Sequence, residues 1–184
     1  PGISRHAMAV PPMEIRLLDR HDAPAYRALR LQALRDSPHA FSASHEDEAG
    51  RSVDEVAARI MPAADGSVCV LGIFESGVLA GFVALIHPQR QKLRHGAELA
   101  GMYVAPAVRR RGLGTALLQA AIARARSIDG VRQLGLSVNA ANAGARALYR
   151  SAGFVAWGVR PQALQVDGAL YDEEHLLLRF DAGS

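Results

Sequence analysis

Residues 104–115, VAPAVRRRGLGT, decide how the middle of this chain folds. An apolar, β-prone stretch over residues 97–104 precedes them, and Pro106 ends that stretch because proline lacks the backbone N–H that a sheet needs. After Gly112 the apolar side chains recur every three to four positions, which predicts a helix over 112–127. Residues 131–138 predict a further strand. Strand, helix and strand in this order form a βαβ unit, in which the two strands are parallel.

The start of that helix has the features of an anion-binding site. Gly112 and Gly114 let a ligand approach the unpaired N–H groups of the first helical turn, where the helix dipole also favours negative charge. Arg109, Arg110 and Arg111 add positive charge just before it. The segment lacks the glycine patterns of P-loops and dinucleotide folds, which disfavours nucleoside triphosphates and NAD. A flexible basic turn that only caps the helix is the alternative interpretation.

A second motif occupies residues 137–154, SVNAANAGARALYRSAGF. The two motifs, in this order and spacing, resemble the GNAT family of N-acetyltransferases. The first looks like that family's acetyl-CoA pyrophosphate motif, and the second is similar to its signature of Asn, Ala, Leu-Tyr and Gly-Phe. The resemblance implies one α/β (α+β) domain over residues 13–180, with a central mixed, mostly antiparallel sheet of about six to seven strands and about four flanking helices.

The rest of the chain fits that order of elements. Ser76-Gly77 is a two-residue turn between β-prone runs, which predicts a hairpin. Residues 37–50 are polar and acidic and predict a long connection. Residues 1–12 are expected to form a flexible arm and residues 181–184 a polar tail. The remaining predicted elements are strands over 13–18, 67–75, 78–87, 154–159 and 169–180, and helices over 22–34, 53–60 and 141–151.

The resemblance implies acetyl-CoA as the co-substrate and indicates where it binds. Backbone groups of Met102 and Val104 would pair with the pantetheine arm in a gap between the fourth and fifth strands, and amides of residues 109–115 would hold the pyrophosphate. Asn142 would hydrogen-bond the arm, although an Asn at a helix start is also a common N-cap. The full implied cofactor set is Met102, Tyr103, Val104, Arg109, Arg110, Arg111, Gly112, Leu113, Gly114, Thr115, Asn139, Asn142 and Tyr149.

Two residues are candidates for proton transfer. Tyr149 lies two helical turns after Asn142 and faces the same side of its helix, and the family uses a tyrosine here to protonate the departing thiolate. The alternative role for that ring is packing in the core. Many family members carry a glutamate where this chain has Ala100, so Glu98, on the same strand face, is the candidate base. A chain of ordered water, or an amine that arrives neutral, would leave Glu98 a solvated carboxylate.

The acceptor amine would enter opposite the cofactor, near residues 37–50 and the last strands. Phe41, Glu46 and Tyr171 are the candidate substrate-binding residues. A carboxylate such as that of Glu46 suits a cationic amine, although acids in a loop are often only solvated. His175 is expected to be an ordinary core or edge residue of the last strand. The spacing of His, Cys, Asp and Glu predicts no metal site.

Composition excludes several classes of protein. The chain has 184 residues, 49% of them apolar, and a single cysteine, which excludes a disulfide framework. The net charge is +3, and basic residues cluster only at 109–111, without aromatic partners, which argues against nucleic-acid binding. No apolar run is long enough for a membrane helix. We therefore expect a cytoplasmic protein without a membrane or nucleic-acid partner; homodimers are common in the family.

The favoured function is transfer of an acetyl group from acetyl-CoA to a primary amine of a small molecule or peptide, by direct attack of the amine on the thioester. The main alternative, motivated by Ala100, is a non-catalytic acyl-CoA-binding sensor with the same fold. Nucleic-acid binding through the three arginines is a third hypothesis, for which a steep salt dependence would be expected.

Overall fold

A seven-stranded sheet forms the centre of the protein. The computed structural model describes residues 12–180, so the predicted arm, apart from Pro12, and the predicted tail lie outside the described residues. The strands are β1 (Met13–Leu17), β2 (Val68–Glu75), β3 (Val78–Ile86), β4 (Gly96–Val104), β5 (Gln133–Asn139), β6 (Val155–Val166) and β7 (Ala169–Arg179). The helices are α1 (Ala23–Asp36), α2 (His45–Ala49), α3 (Val53–Ile60), α4 (Leu113–Arg126) and α5 (Ala143–Ser151).

The strands lie in the order β1-β2-β3-β4-β5-β7-β6. β4 and β5, which α4 connects, pair in parallel, and the other neighbouring strands pair antiparallel. Ser76 and Gly77, with φ of 49° and 79°, make the tight turn between β2 and β3. The predicted α/β class and the mixed, mostly antiparallel sheet are confirmed.

Helices cover both faces of the sheet and enclose an apolar core on each. α4 and α5 pack on one face, where Leu117 is fully buried. α1 and α3 pack on the other face, where Leu18 and Phe82 are buried. At the far edge of the sheet, β6 exposes large apolar side chains, of which Trp157 is 67% exposed. The helical layers therefore cover the β1 side of the sheet more completely than the β6 edge.

The structure corrects the prediction for residues 37–50, which were expected to form a long connection. This segment contains a 3-10 turn at Pro38–Ala40 and the short helix α2. The Ser44 hydroxyl accepts from the Asp47 amide at 3.1 Å, and the Asp47 carboxylate accepts from the Ser44 amide at 2.9 Å. This capping box stabilises a helical turn within a polar segment and adds a fifth helix. β6 also continues past the predicted end at 159, since it pairs with β7 as far as Val166.

β4 carries the irregularities that shape the centre of the molecule. Gly101 and Met102 stand opposite the single residue Val83, which makes a β-bulge in which Gly101 has φ of 61°. β4 and β5 pair at three positions, and the last pair is Glu98 with Gly135. Beyond that pair the two strands separate, which opens the gap that the resemblance implies.

Candidate active site

A narrow slot lies where β4 and β5 separate. It has a volume of about 60 Å³ and is closed on one side by the start of α5. Four of the residues predicted to bind the cofactor line it together: Met102, Asn139, Asn142 and Tyr149. The full lining is Ala40, Leu99, Ala100, Gly101, Met102, Leu136, Ser137, Val138, Asn139, Asn142, Ala145 and Tyr149.

A larger cavity, the acceptor cavity, has a volume of about 840 Å³. Tyr26 and Arg30 of α1 form one wall, and Glu98, Ser137 and His175 of the sheet form the floor. It lies on the α1 side of the sheet, whereas the slot opens toward α5. The residues that line both cavities are Ala40, Leu99, Ala100, Gly101, Leu136 and Ser137. The two cavities therefore meet at the separation of β4 and β5.

The loop before α4 is exposed to solvent over residues 109–112. Arg110 and Gly112, with φ of 62° and 79°, turn the chain sharply into α4. Gly112 is the N-cap, and no side chain within residues 12–180 caps the first amides of α4. The amides of residues 113–115 are therefore available to an anion, and the dipole of this helix favours one there.

Two of the three neighbouring arginines are held by protein groups. Arg109 Nε donates to the Val104 carbonyl at 2.9 Å, and the guanidinium lies 5.4 Å from the centre of the Tyr103 ring. Arg111 forms an ion pair with Glu75 at the end of β2. The Tyr103 ring itself is buried on the α1 side of the sheet. The arginines thus place positive charge beside the loop, while Arg109 occupies a carbonyl that the resemblance assigns to the cofactor.

The two predicted asparagines are used differently. Asn142 caps α5, since its Oδ1 accepts a hydrogen bond from the Ala145 amide at 3.1 Å. The cap does not use the two N–H donors of Asn142 Nδ2, and Asn142 lines the slot. Asn139 is buried, and both ends of its amide are engaged: Oδ1 accepts from the Ala141 amide at 2.9 Å and Nδ2 donates to the His39 carbonyl at 3.1 Å. Asn139 thus holds the turn before α2 against the end of β5.

Tyr149 lies in an apolar setting beside the slot. Its ring packs edge-on against Phe154, with the ring centroids 6.0 Å apart. Burial raises the pKa of Tyr149 to about 12, because the phenolate would lose its hydration. The hydroxyl therefore stays protonated at neutral pH and can act as a hydrogen-bond donor.

An ion-pair cluster fixes the helix that carries Tyr149 and Asn142. The buried Glu174 carboxylate of β7 accepts from Arg146 Nε at 2.5 Å and from an Arg150 guanidinium nitrogen at 2.6 Å. These two cations lower the pKa of Glu174. The cluster ties α5 to the sheet, and so fixes the position of the slot's wall.

The structure brings two of the predicted acceptor-side residues into the acceptor cavity and leaves two outside. Phe41 and Glu98 line the cavity. Glu46 and Tyr171 line neither cavity of the described chain. Glu46 lies on the exposed side of α2, and the Tyr171 hydroxyl bonds His39 Nε2 at 2.9 Å, above the end of β5.

Sequence reasoning missed the polar floor of the acceptor cavity. Ser137 of β5 pairs with His175 of β7 across the sheet, and Trp157 of β6 lies beside His175. Alternation along each strand could have placed Ser137 and His175 on one sheet face. That signal was insufficient because the register between strands far apart in sequence is not visible in either strand alone.

Residues 21–154 match the sequence profile of the acetyltransferase (GNAT) family. The chain belongs to the GNAT acetyltransferase family. A GNAT acetyltransferase from Streptococcus pneumoniae has the same fold, with a TM-score of 0.81 and 24% identity over 92% of this chain and 100% of that chain. The yncA protein of Salmonella typhimurium, solved with its cofactor acetyl-CoA, has a TM-score of 0.78 and 25% identity over 94% of this chain and 96% of that one.

A third solved relative of this GNAT acetyltransferase is the ribosomal-protein-alanine N-acetyltransferase from Brucella melitensis. It has a TM-score of 0.78 and 26% identity over 91% of this chain and 99% of that one. Within residues 12–180, no group of three or more His, Cys, Asp or Glu side chains could hold a metal ion. Among the helices that the structure describes, none is long and apolar enough to cross a membrane.

Proposed function

We propose that this GNAT acetyltransferase transfers the acetyl group of acetyl-CoA to a primary amine of a small molecule or a peptide. The meeting of the slot and the acceptor cavity carries this proposal. A thioester in the slot and an amine in the cavity would face each other across Ala100, Gly101 and Ser137. The amine nitrogen could then attack the thioester carbon directly, with the two reactants held in position.

The N-terminus of α4 is the proposed site of the pyrophosphate. Its uncapped amides at residues 113–115 suit an anion, and the flanking arginines add attraction. The pantetheine arm would follow the backbone of Met102 beside the β4 bulge and accept a hydrogen bond from Asn142 Nδ2. Pairing with Val104 would require Arg109 to release the carbonyl that it now holds. The acetyl-CoA bound to yncA supports this choice of cofactor.

Tyr149 is the proposed donor to the departing thiolate. It lines the slot and keeps its proton at neutral pH. A donor at this point stabilises the negative charge that develops on sulfur as the C–S bond breaks. The proposed role is therefore general-acid assistance to the leaving group.

Glu98 is the proposed base for the incoming ammonium. Its carboxylate is exposed in the acceptor cavity, at the last β4–β5 pair, and attracts a cation before the amine reaches the slot. Because Glu98 does not line the slot, it would take the first proton of the ammonium through water.

The test is release of free CoA thiol from acetyl-CoA in the presence of primary amines. A suitable panel contains free α-amino acids, spermidine and a short peptide with a free N-terminus. We expect amine-dependent thiol release above hydrolysis, together with a product heavier by one acetyl group. Tight acetyl-CoA binding by calorimetry without thiol release for any amine would contradict the proposal and favour the acyl-CoA sensor.

A further inference from the structure

Acetyl transfer to an amine removes two protons from the same nitrogen. An ammonium loses the first before it attacks, and the positively charged nitrogen of the tetrahedral intermediate loses the second. Glu98 is placed for the first, because it lines only the acceptor cavity. The second proton is released after the C–N bond has formed, at the junction of cavity and slot. An acceptor for it must therefore lie at that junction.

Ser137 is the hydroxyl residue at the junction. It lines both the slot and the acceptor cavity, and Leu99, Ala100, Gly101 and Leu136 around it offer only backbone polar groups. Its Oγ lies 3.0 Å from Nδ1 of His175 on the neighbouring strand. A serine alone is a poor proton acceptor at neutral pH, whereas imidazole exchanges protons in that range. The contact thus connects the junction to a group that can take a proton.

The surroundings of His175 allow the proton to leave. The Trp157 ring packs beside the imidazole, with centroids 5.3 Å apart, and restricts its orientation. His175 is half-buried, and it lines the acceptor cavity, through which it reaches solvent. The other titratable or charged side chains that line this cavity are Glu98 of β4, Glu173 and Arg179 of β7, Tyr26 and Arg30 of α1, and His95 before β4.

We propose that Ser137 and His175 form a proton relay that takes the second proton of the attacking amine. This inference rests on the proposed acetyl transfer. The Ser137 hydroxyl receives the proton of the intermediate as its own proton passes to His175 Nδ1. The nitrogen–hydrogen electron pair stays on the nitrogen and cancels its positive charge. The oxyanion then re-forms the carbonyl, the thiolate departs, and His175 releases a proton from Nε2 to water.

Two variants test the relay. His175→Asn places an amide oxygen near the position of Nδ1, so it can still accept from Ser137 but cannot take up a proton. We expect kcat for the best amine of the panel to fall about 100-fold, with the KM for acetyl-CoA changed less than about threefold. Ser137→Ala should lower kcat about tenfold, since a water molecule can partly replace the hydroxyl.

Chemical rescue separates proton transfer from a structural role. Imidazole added to the buffer can take the proton that residue 175 no longer accepts, so it should restore part of kcat in His175→Asn and leave kcat of the parent enzyme unchanged. His21→Asn is the matched control, because His21 is exposed beside β1 at the opposite edge of the sheet.

The outcomes distinguish the relay from the proposed function. A parent enzyme that turns over while His175→Asn keeps its kcat, or loses kcat that added imidazole does not restore, refutes the relay alone. A loss in His175→Asn with none in Ser137→Ala refutes the path through Ser137. If the parent enzyme releases no thiol with any amine, the proposed acetyl transfer fails, and the relay fails with it.

Discussion

Removal of one oxygen atom at Tyr149 tests the proposed leaving-group chemistry. Tyr149→Phe keeps the ring and its edge-on packing against Phe154, so α5 and the slot should retain their shape. The variant loses only the hydroxyl, which we propose lies beside the departing sulfur. Any change in turnover can therefore be attributed to that donor.

The expected size of the effect follows from the environment of the ring. The pKa of Tyr149 is raised to about 12 by burial, whereas a thiol ordinarily has a pKa near 8.5. Complete proton transfer from this buried phenol to a thiolate of ordinary pKa would thus be uphill by about 5 kcal/mol. The hydroxyl would contribute mostly as a donor to a developing charge, which is worth about 1.5–3 kcal/mol. We therefore expect kcat to fall about 10- to 100-fold, at or below the low end of general-acid effects.

Steady-state thiol release and calorimetry provide the measurement. The Kd for acetyl-CoA and the thermal unfolding temperature should remain close to those of the parent enzyme, since the proposed pyrophosphate site and the ring packing are unchanged. Because the phenol of the parent enzyme stays protonated, its activity should show no loss from tyrosine ionisation below about pH 10. Full kcat in Tyr149→Phe would show that the ring only packs, and the donor assignment would be wrong.

The remaining predictions concern the proposed pyrophosphate site, the ion-pair cluster at Glu174 and Asn139. Gly114→Asp should raise the Kd for acetyl-CoA at least about tenfold by calorimetry, while the neutral variant Gly114→Asn should change it less. Both variants should fold, because an added Cβ would lie 3.7 Å from Leu148. Equal affinities of the two variants would contradict a pyrophosphate at this position. Glu174→Gln should lower the free energy of unfolding in urea by about 1–2 kcal/mol at neutral pH. Because the pKa of Glu174 is lowered in the folded state, this stabilisation is present above the ordinary pKa of glutamate and is lost as the pH falls through the folded-state pKa. The free energies of unfolding of parent and variant should therefore become equal in acid. A difference between them that does not change with pH would refute the ionic origin. Asn139→Ala should lower the free energy of unfolding by about 1–3 kcal/mol with little change in acetyl-CoA affinity, and the reverse pattern would make Asn139 a cofactor ligand.

The sequence predicted the local parts of this fold well. The β2–β3 hairpin, the crossover helix α4 and the helix α5 all have strong short-range sequence signals. Examples are the turn at Ser76-Gly77 and the periodic apolar residues after Gly112. The helix α2 was missed because its stability comes from a capping box and not from an apolar stripe. The separation of β4 and β5 was predicted only from the family resemblance, since no residue pattern shows where two parallel strands cease to pair.

The candidate site was predictable where a single segment builds it. Residues 112–115 and the Asn142–Tyr149 pair belong to continuous motifs, and the structure brings Met102, Asn142 and Tyr149 to one slot. The acceptor cavity is assembled from strands that are distant in sequence. Ser137 and His175 are neighbours only because β7 pairs beside β5, and Glu46 and Tyr171 lie elsewhere because α2 and the β6–β7 hairpin direct them away.

The slot and the acceptor cavity lie on opposite faces of the same sheet. With acetyl-CoA in the slot and the amine in the acceptor cavity, as we propose, neither reactant would block the entry of the other, and a ternary complex could assemble in either order. CoA and the acetylated product would then leave from separate faces. CoA would inhibit by competing with acetyl-CoA, and the acetylated amine would inhibit by competing with the free amine.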